Sequence, residues 1–153
     1  MYRIMFVCHG NICRSPMAEF MFKDMVEKEG RSAEFKIASC AVSTEEIWNG
    51  VGNPVYPPAK AELRKHGISC EGKRACLLKA TDGEEYDLFL CMDDSNLRRA
   101  KGILGVKNGE KCKKLLSYAG ENGNVADPWY TGDFSVTYYD ILRSLQGLLR
   151  ELQ

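Results

Sequence analysis

The sequence predicts one α/β domain spanning residues 1–153, with a four-stranded parallel sheet covered by helices on both faces. Three observations predict it. Apolar, strand-like runs alternate along the chain with segments of helical periodicity, which implies right-handed crossovers and parallel pairing. The first run, Tyr2 to Cys8, leads into a short glycine-containing loop that opens a helix at once. Finally, 153 residues without a repeat, linker or low-complexity tract suit one hydrophobic core.

The strand-like runs are Tyr2–Cys8, Glu34–Ser39, Tyr86–Met92 and Lys113–Tyr118. After the first, Ala18, Met21, Phe22 and Met25 recur at helical spacing, with Lys23, Asp24, Glu27 and Lys28 on the other side and Gly30 as the stop. Ser15 and Pro16 mark the start of this helix, with proline expected in its first position. Thr44–Pro58 carries Trp48, glycines and prolines and reads as a surface loop. A second helix is predicted over Pro57–His66, stopped by Gly67, and a short third over Ser95–Lys101, stopped by Gly102. The last runs from about Ser135 to Leu152, with Tyr138, Ile141, Leu142, Leu145, Leu148, Leu149 and Leu152 as its core stripe.

Twenty-one basic and 21 acidic side chains give zero formal charge, which argues against general binding to nucleic acid or anionic membranes. No apolar stretch approaches the ~20 residues of a membrane span, and the N-terminus lacks a signal-peptide layout. Seven cysteines, an odd number without scaffold-like spacing, point to reduced thiols in a cytoplasm. Cys8, His9 and Cys13 lack a second pair at zinc-finger spacing, so no metal is expected.

Cys8-His9-Gly10-Asn11-Ile12-Cys13-Arg14-Ser15 carries the chemistry. In a parallel sheet, ligands bind beyond the carboxyl ends of strands, where Cys8 and the loop at Asp93 both fall. Loop amides, a helix N-terminus and the planar fork of Arg14 would together hold a phosphate dianion above Cys8. Helix N-termini and nearby cations draw a thiol toward the thiolate, the form that attacks. Gly10 is expected to allow the tight turn, and Ser15 either caps the helix or donates to the sulfur.

Val7 to Glu19, followed by Leu90-Cys91-Met92-Asp93-Asp94-Ser95-Asn96-Leu97 and Asp127-Pro128-Trp129-Tyr130, closely resembles the motifs of the low-molecular-weight protein tyrosine phosphatases. The resemblance spans nearly the whole chain and implies a flavodoxin-like three-layer sandwich. It also implies hydrolysis of phosphotyrosine in proteins or peptides, by a monomer without metal or organic cofactor. Cys8 would form a phosphocysteine, Arg14 would hold the equatorial oxygens, and Asp127, flanked by Val125, Ala126 and Pro128, would serve as general acid and then base. His9, Gly10, Asn11, Ile12, Cys13 and Ser15 complete the phosphate-binding loop. Asn11 and Ser39 match positions that hold it in shape, and Asp93 lies beside it. Trp48, Trp129 and Tyr130 are expected to wall a cleft for a flat aryl phosphate. Ile12 resembles the tyrosine-directed members, whereas relatives acting on phosphoarginine carry threonine there. Cys13 matches a residue that in many members forms a reversible disulfide with the nucleophile. A tyrosine kinase is one partner that the loop of Trp48 could select.

The chain departs from the family pattern in three places: the loop around Trp48 is one or two residues longer than usual, and two segments differ in residue type. Gly52-Asn53-Pro54-Val55-Tyr56-Pro57-Pro58 lacks the usual acidic and basic residues, and Lys73-Arg74-Ala75-Cys76 stands where a His-x-Ala-Arg element is usual. That histidine commonly braces the loop asparagine, so Asn11 is expected to be held differently. Arsenate reductases of this fold use further cysteines as a relay, for which Cys70, Cys76 and Cys91 would be the candidates. They leave Asp127-Pro128-Trp129-Tyr130 without a task. A phosphocarrier or a non-catalytic phosphate binder would need no acid beside the nucleophile and arginine.

Overall fold

Alternating side chains along β1 (Tyr2–Cys8) organise the molecule, described over residues 1–153 by a computed structural model. Ile4, Phe6 and Cys8 enter one apolar cluster, while Met5 and Val7 enter another on the opposite face. That two-residue period is the pleat of a strand buried on both sides. β1 lies between β2 (Phe35–Ala41) and β5 (Leu88–Cys91), and β6 (Cys112–Lys114) completes the sheet in the order β2-β1-β5-β6. All three pairings are parallel, as expected from the alternation of strands and helices.

Helices cover both faces. α1 (Arg14–Lys28) contributes Met17, Met21 and Phe22 to the larger cluster, α2 (Pro57–Lys65) Ala59 and Leu63, and α6 (Phe134–Glu151) Ile141, Leu145 and Leu148. Each fully buried leucine contributes about 1.5–3 kcal/mol relative to exposure. On the other face α4 (Asp94–Gly109) packs Ala100 and Leu104 against Met5, Val7 and Phe89. No helix is long and apolar enough to cross a membrane.

Three expectations about elements are corrected. The third helix continues past Gly102, because glycine inside a helix costs about 1 kcal/mol and does not end it. Its break comes at Gly105, whose φ of 87° only glycine adopts easily. The fourth strand stops at Lys114, and Leu115–Ala119 turn instead into a 3₁₀ helix that buries Leu115 and Leu116. A short apolar run fits either outcome. Within 44–58 lies a hairpin, β3 (Ile47–Trp48) against β4 (Val51–Gly52), closed by Asn49 at φ 50° and Gly50 at φ 75°. Two positive φ values in succession define the turn that Asn-Gly favours. Single-turn helices α3 (Asp82–Glu85) and α5 (Pro128–Thr131) complete the chain.

Candidate active site

β1 is an inner strand of the sheet, so its carboxyl end delivers Cys8 to the middle of the molecule's ligand-binding edge. The chain then reverses through His9–Cys13 and enters α1 at Arg14. Asn11 makes the reversal in the left-handed conformation, at φ 60°. Gly10 has a different task from the one expected: a Cβ there would stand 3.0 Å from Glu46 Cγ, which lies over the loop. The N-cap of α1 is Cys13, which makes no side-chain cap bond, so its first-turn amides are not tied up by a capping side chain. Pro16 therefore sits in the third position of α1, still within the turn whose amides lack helical partners.

Hydrogen bonds fix the loop from beneath. The Cys8 sulfur receives the Asn11 N–H at 3.3 Å and lies 2.9 Å from Ser15 Oγ. Asn11 Nδ2 donates to Ser15 Oγ at 2.7 Å and to Ser39 Oγ at 2.9 Å, and its Oδ1 accepts from the Cys76 amide at 3.1 Å. Ser39 Oγ donates in turn to Glu19, a buried side chain held by Lys23 at 2.6 Å and Lys73 at 3.4 Å. This order gives every proton a direction. A carboxylate only accepts, so Ser39 spends its proton on Glu19 and accepts from Asn11. Asn11 gives its second amide proton to Ser15, whose hydroxyl has two acceptors in reach, the Cys8 sulfur at 2.9 Å and the Cys40 carbonyl at 3.4 Å. Lys73 occupies the place of the expected histidine and also donates to the Ser39 carbonyl at 2.9 Å.

Arg14 is 4% exposed and forms the opposite wall. Its Nη1 lies 3.0 Å from Asp93 Oδ2 and donates to the Val125 carbonyl at 3.2 Å, while Nη2 is 3.4 Å from Asp127 Oδ2. Asp93 is the N-cap of α4, accepting from the Asn96 amide at 2.8 Å, and Asp127 is the N-cap of α5, accepting from Trp129 at 3.0 Å. Each aspartate thus uses one oxygen as a cap and turns the other to the guanidinium. The segment bearing Asp127 is itself pinned, with Val125 N–H donating to Met92 O, Ala126 N–H to Asp140 and Thr137 to Ala126 O.

These groups line one cleft of about 520 Å³, together with His9, Gly10, Ile12, Cys13, Trp129 and Tyr130. Trp129 is 61% exposed and packs on Tyr56, whose amide donates to Ile12 O at 2.9 Å. Of the residues expected to face the substrate, Trp48 and Ser15 do not line the cleft. Trp48 stands 78% exposed on β3, and Ser15 lies wholly buried beneath the loop, reaching the site through Cys8. Ser39 is likewise beneath. Four residues not singled out as site residues do line the cleft: Glu45, Glu46, Ser95 and Asn96. Glu45 pairs with His9 at 3.0 Å. Ser95 and Asn96 were visible within the resemblance motif; the glutamates carried no signal beyond an acidic pair in a loop. Cys70 and Cys91 lie away from the cleft.

Burial above all, then the nearby Cys8 and Asp127 charges, pushes the Cys13 thiol up to about 12. It is a neutral group at physiological pH.

The two segments that depart from the family pattern touch each other. Pro54 bridges to Arg74, Ala75 N–H donates to Asn53 O at 2.9 Å, and Arg74 donates to Gly52 O at 3.0 Å. A Cβ on Gly52 would fall 1.8 Å from the Ala75 carbonyl oxygen.

Known proteins resemble this chain over nearly its whole length. Residues 3–153 match the family described as low molecular weight phosphotyrosine protein phosphatase. The chain is 35% identical to the low molecular weight protein-tyrosine-phosphatase YfkJ of Bacillus subtilis, covering 100% of this chain and 97% of the relative. It is 37% identical to the mouse low molecular weight phosphotyrosine protein phosphatase, covering 97% and 94% respectively. The crystal structure of YfkJ superposes with a TM-score of 0.92 over 100% of this chain and 95% of that one, at 34% identity.

Proposed function

The chain belongs to the low molecular weight phosphotyrosine protein phosphatase family, and from that premise we propose that it hydrolyses phosphotyrosine in proteins or peptides through a phosphocysteine on Cys8. The observation that carries the reading is the convergence of Cys8, Arg14 and Asp127 on one cleft, with hydroxyl and amide donors aimed at the sulfur.

The loop amides and the α1 N-terminus take the phosphate oxygens, and Arg14 turns its fork to two of the three that lie equatorial during transfer. Cys8 attacks phosphorus, and the P–O bond to the phenol breaks as Asp127 supplies the proton. Water then attacks the phosphocysteine, the P–S bond electrons return to sulfur, and Asp127 takes the proton. Ile12 and the aromatic wall of Trp129 and Tyr130 favour an aryl phosphate. This reading assigns every role to side chains of one chain and is that of a monomer acting without a cofactor. The seven free thiols are those of a cytoplasmic enzyme. Exposed Trp48 gives a protein substrate, such as a tyrosine kinase carrying its own phosphotyrosine, a place to rest. Under peroxide, a sulfenic acid on Cys8 would condense with the Cys13 thiol, releasing water and forming a reversible disulfide.

Hydrolysis of a phosphotyrosine, a phosphoserine and a phosphoarginine peptide, with chelator present and Cys8→Ser alongside, tests the reading. Turnover of phosphotyrosine alone, lost in Cys8→Ser while vanadate still binds, is expected. Full activity in Cys8→Ser, or preference for phosphoarginine, would overturn it.

A further inference from the structure

Glu46 stands in the cleft wall, half-buried, with its Cγ over the phosphate loop where Gly10, lacking a Cβ, makes room for it. One carboxylate oxygen accepts from Asn53 Nδ2 at 3.1 Å; the other has no protein partner and stays open to solvent. No basic side chain pairs with it, unlike the remaining acids of the cleft. Asp93 and Asp127 face Arg14 at 3.0 and 3.4 Å, and Glu45 is bonded to His9 at 3.0 Å. An unpaired carboxylate at the mouth of a dianion site works against the ligand, since like charges repel and partial burial weakens their screening. Holding the hairpin in shape does not require the charge, because a glutamine would accept from Asn53 equally well.

We propose that Glu46 is a specificity-determining residue, favouring phosphotyrosine flanked by lysine or arginine over phosphotyrosine flanked by further acids; the inference rests on the phosphotyrosine reading above. The topology gives this charge one side of the cleft. Glu46 follows the carboxyl end of β2, which neighbours β1 on one edge, whereas Ser95 and Asn96 open α4 after β5, on the other. A peptide that lowers its phosphate onto Cys8 thus meets Glu46 along the flank that runs over the β2 side. A cation there takes the open oxygen that no side chain of this protein fills. It also offsets the repulsion between Glu46 and the dianion, so that a group costly to phosphate alone becomes favourable to phosphate with a basic neighbour.

Three phosphotyrosine peptides of equal length test this, with lysine, alanine or glutamate on both sides of the phosphotyrosine. The parent should show a kcat/KM for the lysine peptide about tenfold above that for the glutamate peptide, and about 0.5 M salt should shrink the ratio. Glu46→Gln, which keeps the bond to Asn53, should bring the ratio within about twofold and lower KM for p-nitrophenyl phosphate about twofold, because one charge opposing the dianion is gone. Glu46→Lys should reverse the preference. Glu45→Gln, at an exposed carboxylate already bonded to His9, should change the ratio less than Glu46→Gln. Equal kcat/KM for the three peptides, an unchanged ratio in Glu46→Gln, a raised p-nitrophenyl phosphate KM in that variant, or no reversal in Glu46→Lys would overturn the proposal. Turnover of p-nitrophenyl phosphate with none of the peptides hydrolysed would instead refute the phosphotyrosine reading itself, and the inference with it.

Discussion

The floor and the rim of the cleft are built by opposite means. On the floor, Cys8, Asn11, Arg14 and Ser15 are all buried, and each is held by partners from two or more elements. On the rim, Trp129 and Tyr130 are 61% and 86% exposed. Phosphate is the same object on every substrate, so its receptor can be rigid and fully satisfied in advance. Leaving groups and peptide flanks vary, and the surfaces that meet them are held loosely by one or two contacts. The cleft is specific for the dianion and adaptable toward what carries it.

Perturbing the floor should have the larger consequences. Arg14→Lys exchanges a planar fork for a point charge and should lower kcat/KM for aryl phosphates by about 10²–10³-fold, measured by initial rates. Asp127→Ala lies at the boundary of the two regions and should separate substrates. Phenyl phosphate should lose about 10²–10³-fold and p-nitrophenyl phosphate under about tenfold, because a good leaving group needs little proton donation. Equal losses on both would place Asp127 with the floor.

Smaller effects sharpen the contrast. Lys73→Met leaves Glu19 with Lys23 alone and should lower kcat by about tenfold, with KM little changed, by loosening the donor chain to Cys8; restored activity in Lys73→Arg would tie the effect to the charge. The Cys13 thiol lies at about 12, above its ordinary 9.0, so its contribution to stability is intact below about pH 9 and is lost as pH climbs toward 12. Cys13→Ala should make the fall of the urea midpoint across that window shallower than in the parent. On the hairpin outside the cleft, Trp48→Ala should leave p-nitrophenyl phosphate hydrolysis unchanged and raise KM for a phosphotyrosine protein about threefold.

What could be read from the sequence follows the same division. β1, the loop, α1 and α6 are local in origin: an apolar run, a turn, a helix start and a clean stripe are each written within a dozen or so residues. The floor residues followed from those elements. Glu19 and Lys73 did not, because they meet the loop only through the pairing of β2 with β1 and the return of the chain after α2. The Asn49-Gly50 turn was legible in principle, but the surrounding prolines and glycines masked the two-residue strands it joins. Trp48 was placed on the cleft because aromatics there resemble a wall, whereas hairpin geometry turns it to solvent.

The close approach of Gly52 to Ala75 bears on how such enzymes can be recombined. A hairpin borrowed from a relative would bring any side chain at position 52 into the backbone that carries Cys76 and, through it, the amide that orients Asn11. Residues 50–58 and 73–76 behave as one heritable cassette, to be exchanged together or left alone. A chimera that swaps both tests substrate preference; one that swaps a single half tests only whether the phosphate loop survives.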